Sequence, residues 1–316
     1  MKGYNVEETG KHISDAWASF KNPVAVGLDA KRFDQHVSSD ALRFEHSVYL
    51  GNYTGKHRRK LARLLKWQLV NHGFARASDG EIRYIVEGGR MSGDMNTALG
   101  NIILMTLMVK RFTEEMGVKC RLINNGDDCS LIFEREHLAT ILQAVHGWFL
   151  RYGFQIVVEE PVFELEEIEF CQMHPIWTPR GYVMVRNSMV ALSKDAILTR
   201  PVGPSGFGKW MHVVGMAGSA LTSGIPIHQE YYKMFVRSGI RGGRQSEFEK
   251  NEGFFRLAIG LKAVFRPIHP ATRVSFWKAF GITPDLQDIY EATYNSMSVP
   301  LTYLPLDTQN FSVELL

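Results

Sequence analysis

Two adjacent carboxylates stand at the point of this sequence best suited to chemistry. Asp127 and Asp128 follow Asn125 and Gly126, between two apolar runs within residues 120–133. Asn-Gly between such runs predicts a tight β-hairpin turn, because both residues tolerate positive φ. Two carboxylates at its tip repel each other unless cations neutralise them. The tip is therefore either a solvated turn, where these residue types are common, or a site for hard divalent cations.

A second pair of acids follows a short apolar run. Residues 23–29 predict a compact strand that ends on Asp29, and Asp34 follows after four intervening residues. A tight turn after the strand would bring both carboxylates towards one cleft. Because this spacing is common by chance, it indicates a site only in combination with other motifs.

A polar strip lies at the start of a third element. Ser92 and Gly93 belong to a flexible loop that leads into a helix predicted to run to about Met116. Thr97 and Asn101 lie four residues apart, and therefore on one face of that helix. They either face solvent as ordinary polar residues or form a polar strip along a cleft. The apolar remainder of the helix favours the cleft.

The elements that must position these motifs divide the chain near residue 188. Before it, hairpins are predicted at 73–88, at 120–133 and between 170 and 185. A helix at 53–72 carries a basic face, which is either solvated or tracks a phosphate backbone. After residue 188 the pattern is helical. The other predicted helices are 12–20, 41–49, 136–151, 189–198, 209–222, 228–238, 248–262, 271–280 and 284–294.

Composition places few limits on function. The 316 residues suffice for one large or two smaller domains, and a net charge of +3 neither requires nor excludes a polyanionic partner. Three cysteines without zinc spacing indicate reduced thiols. The most apolar stretch, 102–109, is too short to span a bilayer, and residues 1–8 lack the apolar core of a signal peptide.

In this order the motifs resemble those of viral RNA-dependent RNA polymerases, particularly carmovirus-like members of the tombusvirus family. Three segments carry the resemblance. They are Gly-Leu-Asp-Ala-Lys-Arg-Phe-Asp-Gln-His-Val-Ser at 27–38, Gly-Arg-Met-Ser-Gly-Asp-Met-Asn-Thr-Ala-Leu-Gly-Asn at 89–101 and Asn-Gly-Asp-Asp-Cys at 125–129. The Phe-Cys-Gln at 170–172 matches the hairpin that leads to the thumb in such enzymes. The resemblance runs from about Lys2 into the helical part.

The resemblance implies an α+β fold of the right-hand polymerase type, with an antiparallel palm sheet, partial fingers and a helical thumb. The implied boundaries are 1–22 for the end of upstream fingers, 23–50 and 89–187 for the palm, 51–88 for a fingers insertion and 188–316 for the thumb.

The implied activity is template-directed RNA synthesis from nucleoside triphosphates, for a positive-strand RNA virus. Joining nucleotides requires cations to hold the charge that develops in phosphoryl transfer. By resemblance, Asp29 and Asp127 bridge two Mg²⁺ ions, for which Mn²⁺ could substitute, and Asp128 assists. Asp34 and Asn101 would read the ribose 2′-hydroxyl, the group that distinguishes RNA from DNA.

The remaining implied contacts concern the substrate and other polypeptides. Thr97 would lie near the ribose readers, and Ser92 and Gly93 would accommodate the template base and the incoming nucleotide. Expected partners are template and product RNA, nucleoside triphosphates and an upstream replicase polypeptide. Location in the host cytoplasm, at membrane-associated replication complexes, would depend on parts outside this chain.

Three alternatives remain at this point. A catalytically incomplete RNA-binding fragment would keep every acid while lacking most of the fingers. A reverse transcriptase would usually have an aromatic or small residue before a single Asp-Asp pair and no counterpart of Asn101. A two-metal phosphohydrolase would require histidine ligands beside the acids. Gly126 and Asn101 argue against a reverse transcriptase.

Overall fold

The computed structural model describes residues 1–198, 202–242, 258 and 260–300. The chain forms two compact units, one of residues 1–2 and 15–171 and one of residues 3–14 and 172–316. We call them unit 1 and unit 2. Both contain helices and antiparallel β-strands, which confirms the predicted mixed class.

Unit 1 is built on a four-stranded sheet in the order β4-β5-β1-β6. Its described pairings are all antiparallel. The strands are β1 (Pro23–Ala30), β4 (Cys120–Asn124), β5 (Asp128–Glu134) and β6 (Ile156–Val158). The strand predicted before Asp29 and the hairpin predicted around Asn125 are therefore confirmed.

The sequence of β1 alternates in a way that gives the sheet one apolar face. Val24, Val26 and Leu28 are buried in the main core, while Asp29 on the other face is exposed. Successive strand residues point to opposite faces, so one short strand both fills the core and presents an acid. The core is completed by α5 (Thr97–Met116) and α6 (Leu138–Leu150).

Unit 1 also contains three short α-helices and a separate hairpin. The helices are α2 (Phe33–His36), α3 (Ser39–Gly51) and α4 (Gly55–Lys66), and the hairpin joins β2 (Val70–Ala77) to β3 (Gly80–Glu87). The Ser38 hydroxyl accepts from the Ala41 amide at 3.1 Å and so caps the start of α3. The predicted helix at 53–72 is too long, because β2 begins at Val70.

The first helix, α1 (Val6–Trp17), begins six residues before the predicted start. Asn5 and Glu8 cap the N-terminus of this helix by hydrogen bonds in both directions. The Glu7 and Glu8 amides donate to Asn5 Oδ1, while the Asn5 amide donates to Glu8 Oε2. This capping box fixes the start of the helix at Val6 and explains the difference.

Unit 2 contains a hairpin and a set of helices. Its elements are β7 (Met173–Thr178), β8 (Gly181–Arg186), α7 (Ser188–Lys194), α8 (Pro204–Leu221), α9 (His228–Ser238), α10 (Pro270–Phe280) and α11 (Pro284–Ser296). The predicted helix at 248–262 lies largely outside the described residues. Gly218 allows α8 and α9 to approach closely, because a Cβ there would lie 2.1 Å from the Tyr232 ring.

Within the described ranges, no helix combines the length and apolarity needed to cross a bilayer. All three cysteines are free thiols, with Cys129 buried and the other two half-buried, as their spacing predicted.

Candidate active site

The acids of the hairpin tip and of β1 meet at one end of β5 and β1, the two central strands of the sheet in unit 1. Asp29 pairs directly with Asp128 in the antiparallel register, and residues opposite each other in this way share a face. Asp127 occupies the turn, which closes with the Asn125 amide donating to the Asp128 carbonyl at 3.0 Å. Asp29, Asp34 and Asp127 line one cleft of about 770 Å³.

The hairpin tip is tied to the long helix behind it. Asn124 donates to the Ile102 carbonyl and the Thr106 hydroxyl of α5, and its Oδ1 accepts from the Gly126 amide at 2.6 Å. Gly126 has a φ of +120°, a conformation that glycine adopts readily. The turn is thereby held in a conformation that presents Asp127 to the cleft.

Asp128 is oriented by a backbone amide rather than by a basic side chain. Its Oδ2 accepts from the Cys171 amide at 2.9 Å, and the Cys171 thiol in turn accepts from Asn125. Burial raises the pKa of Asp128, the Cys171 amide opposes that rise, and the charges of Asp127 and Asp29 add to it. Clustering these carboxylates is therefore electrostatically unfavourable without a cation.

Glu159 adds a further carboxylate on the same face of the sheet. Its side chain lies across Gly27, where a Cβ would come within 1.8 Å of Oε2. Burial, followed by the charges of Asp128, Glu169 and Asp29, raises its pKa. Sequence reasoning missed this residue, because nothing in the local pattern indicates that the chain after β6 folds back over a glycine.

The polar strip predicted on α5 reaches Asp34, which lies in α2, just after the end of β1. Asn101 Nδ2 donates to Asp34 Oδ1 at 2.8 Å, and the Ser92 hydroxyl donates to Asp34 Oδ2 at 2.6 Å. The Asn101 side chain is buried, and among the described residues its Oδ1 has no hydrogen-bond partner. The structure thus joins Asp34, Ser92 and Asn101 into one network beside the acids.

Thr97 and Gly93 stand apart from that network. The Thr97 hydroxyl donates to the Met91 carbonyl at 2.7 Å, which fixes the loop before α5. Gly93 is exposed, and a Cβ there would meet nothing within 4 Å. Both residues lie in or beside the Ser-Gly loop, and the side-chain hydrogen bonds described for Asp34 come from Ser92 and Asn101 instead.

A buried ion pair lies beneath the loop. Arg90 donates to both oxygens of Glu45, and the two side chains are almost completely buried. Asn96 also donates to Glu45 Oε1, and the Arg90 amide donates to the Asp34 carbonyl at 2.7 Å. The position that allows this pair is Gly100, whose Cβ would lie 2.4 Å from Glu45 Oε1.

Sequence reasoning did not find this pair, because its members come from α3 and from the segment before α5. It also missed Arg32, an exposed residue with a φ of 51° that lines the cleft with the acids. Arg32 and Arg90 lie within the segments 27–38 and 89–101, but nothing in those segments indicates which basic side chain lines the cleft and which one is buried.

The donor set suits magnesium. Mg²⁺ prefers carboxylate oxygens and is usually held by one or two carboxylates together with substrate phosphates. Asp29 and Asp127 are both exposed on the cleft. Within the described part of the chain, no group of three or more His, Cys, Asp or Glu side chains could hold a metal ion unaided. Asp29 and Asp127 nevertheless supply oxygen donors of the kind that Mg²⁺ prefers.

Comparison with known proteins gives one consistent result. The family described as viral RNA-dependent RNA polymerase matches residues 1–302. A protein of melon necrotic spot virus named RNA-directed RNA polymerase is 46% identical over 309 residues, covering 96% of this chain and 39% of its own length. Proteins of the same name from carnation mottle virus and turnip crinkle virus are 44% and 43% identical over 302 and 305 residues, covering 95% of this chain and 39% of their own lengths.

Proposed function

The chain belongs to the viral RNA-dependent RNA polymerase family, and from that premise we propose that it carries the nucleotidyl-transfer site of an RNA-directed RNA polymerase. The observation that supports this most directly is the shared cleft of Asp29 and Asp127, which come from elements far apart in the sequence. The chain spans about two fifths of the length of the relatives it matches. Synthesis of RNA by the complete replicase, its substrates and its partners therefore belong to this proposal.

Asp29 and Asp127 would hold two Mg²⁺ ions, with Asp128 assisting from its position on the Cys171 amide. When bound, Mg²⁺ neutralises charge on the phosphates and lowers the barrier to in-line attack at phosphorus. The task of the chain is to keep carboxylates at fixed positions before the nucleotide binds. Register pairing between β1 and β5, and the contacts of Asn124 with α5, provide that rigidity.

Ribose selection follows from the Asp34 network. A ribose 2′-hydroxyl can donate one hydrogen bond, and the Asn101 Oδ1 is a buried acceptor without a partner among the described residues. Asp34 holds the Asn101 amide from the other side, so the acceptor points in a fixed direction. N101A should therefore lower the ratio of ribonucleotide to deoxyribonucleotide incorporation while the acids stay in place. An unchanged ratio would remove Asn101 from this role.

We also propose that the chain has the palm, fingers and thumb of a right-hand polymerase. Residues 23–50 and 89–187 would form the palm, residues 1–22 and 51–88 parts of the fingers, and residues 188–316 the thumb. The antiparallel sheet with acids on one face and helices packed on the other supports the palm assignment.

The test is RNA-templated incorporation of labelled nucleotides by the purified chain in Mg²⁺, alone and with the upstream replicase polypeptide added. D29N and D127N should each abolish incorporation, whereas D79N, at the exposed turn of β2 and β3, should leave it unchanged. Incorporation that appears only with the added polypeptide, and is lost in D127N, would place the site here and show that this chain alone is incomplete. Incorporation that survives both D29N and D127N would refute the proposal.

A further inference from the structure

One face of the β2–β3 hairpin carries an aromatic ring into the cleft of the acids. Tyr84 and Val86 line that cleft together with Asp29, Asp34 and Asp127. Tyr84 lies on the face that also holds Ile82 and Val86, since strand residues two apart share a face. The side chain of Tyr84 remains about half exposed, at 48%.

The ring is held flat by a glycine in the partner strand. Gly73 pairs directly with Tyr84, and a Cβ at Gly73 would lie 1.9 Å from the ring carbon Cζ. Any larger residue at this position would displace the ring. An aromatic side chain that covers a strand glycine stabilises the pair, which accounts for the inner face of the ring. Packing on Gly73 does not explain why the rest of the Tyr84 ring stays exposed and lines the cleft.

The base of the hairpin is fixed to the segment that precedes the Ser-Gly loop. Asn71 Nδ2 donates to the carbonyls of Gly88 and Gly89, and the Gly88 amide donates to the Leu69 carbonyl. The Gly89 amide donates to the Val37 carbonyl, just after Asp34. Hydrogen bonds to backbone carbonyls within unit 1, from Asn71 and from the amides of Gly88 and Gly89, therefore set the position of Tyr84 relative to the acids.

We propose that Tyr84 is a stacking surface for a nucleobase in the active-site cleft. This inference rests on the proposed function, because a nucleotide bound at Asp29 and at the Asp34 network would place its base in the same cleft. An aromatic ring with one face packed and the other free suits stacking on any base, and such stacks strengthen binding without reading sequence. The base belongs either to the incoming nucleoside triphosphate or to the template RNA.

The opposite face of the hairpin provides a matched control. Phe74 is also exposed and aromatic, but it lies on the other face, where the Arg83 guanidinium sits 5.3 Å from its ring centroid. Phe74 does not line the cleft of the acids. Phe74 and Tyr84 do line a second cavity together, of about 780 Å³, so a change at Phe74 alters the same hairpin and that cavity but not the cleft of the acids.

The experiment compares Y84L, Y84F, G73A and F74L with the unchanged chain in two assays. The first measures KM for a nucleoside triphosphate in RNA-templated incorporation, with the upstream polypeptide added where the unchanged chain needs it. The second measures quenching and binding of single-stranded RNA that contains 2-aminopurine, and it needs no catalysis. Circular dichroism melting establishes that each variant is folded.

Y84L and G73A should weaken nucleotide or RNA binding about tenfold, while Y84F and F74L stay within about twofold of the unchanged chain. A raised KM with unaltered quenching assigns the stacked base to the incoming nucleotide, and lost quenching assigns it to the template. Equal behaviour of Y84L and F74L in both assays, or a loss in Y84F as large as in Y84L, would overturn the inference. If the proposed polymerase function is wrong, neither the unchanged chain nor any variant will incorporate nucleotides. The RNA-binding assay will still compare Y84L with F74L, so the two failures can be told apart.

Discussion

Replacing Glu45 by Gln should leave the Arg90 guanidinium as a buried charge without an ionised partner. The two side chains are 0% and 1% exposed, so water cannot take over the role of the carboxylate. Removing one member of a buried ion pair costs about 3–5 kcal/mol. Domains of this size are stable by about 5–15 kcal/mol, so E45Q should remove a large share of the stability of unit 1.

The assay is urea unfolding followed by intrinsic fluorescence. With a slope of about 2 kcal/mol per molar urea, the expected loss lowers the midpoint by about 2 M. D40N is the matched control, because Asp40 lies on the same helix and pairs with Arg43 on the surface. Its midpoint should hardly change, since exposed ion pairs contribute little.

A second variant separates the lost charge partner from lost packing. E45Q/R90M removes both charges and should regain part of the midpoint lost in E45Q, because no ion stays buried. An E45Q variant that unfolded at the same urea concentration as D40N would show that the buried pair does not stabilise unit 1. A double variant less stable than E45Q would show that the loss in E45Q does not come from the unpaired Arg90 charge.

Three further predictions concern other parts of the chain. Burial lowers the pKa of His228 from 6.5 to about 4, so the unfolded chain binds a proton at a higher pH than the folded one, and the free energy of unfolding should fall by about 3 kcal/mol as the pH drops from 6.5 to 4. Thermal unfolding across that range should show a loss of stability about 3 kcal/mol larger in the unchanged chain than in H228N, because the carboxyl groups titrate in both; an equal loss in both would contradict this. G218A should destabilise unit 2 by about 1–3 kcal/mol, because its Cβ would lie 2.1 Å from the Tyr232 ring, whereas G147A on the open face of α6 should be neutral or stabilising. A loss of the same size in both variants would show that the contact with Tyr232 is not responsible. G27A should lower the melting temperature because its Cβ would meet the Glu159 carboxylate at 1.8 Å, and G27A/E159A should restore it; no recovery in the double variant would place the clash elsewhere.

The parts of the fold that the sequence predicted well are those fixed by local chemistry. Asn-Gly at 125–126 indicated one hairpin turn, and the compact apolar run at 23–29 indicated β1. The start of α1 was missed although its signal is local, since Asn5 and Glu8 form a capping box that the residues themselves display. The end of α4 was missed because apolar residues at helical spacing continue into a segment that pairs as a strand.

In the candidate site, the functional side chains could be predicted from the sequence, but the contacts that hold them could not. The acids and the polar strip stand in ordered motifs, so their types and spacing suffice to single them out. The supporting contacts do not follow from spacing, because each joins segments distant in sequence. Examples are the Cys171 amide on Asp128, Glu159 over Gly27 and Tyr84 in the cleft. Such contacts depend on how strands pair and loops return, which only the folded chain specifies.

Asp29 and Asp127 are proposed to bind the same divalent ions. Titration of the chain with Mn²⁺ in the presence of a nucleoside triphosphate, followed by the electron paramagnetic resonance signal of free Mn²⁺, tests this directly. D29N and D127N should each weaken the same binding event, and the double variant should weaken it little more than either single change. Undiminished Mn²⁺ binding in both single variants, or additive losses in the double variant, would show that Asp29 and Asp127 do not share bound ions.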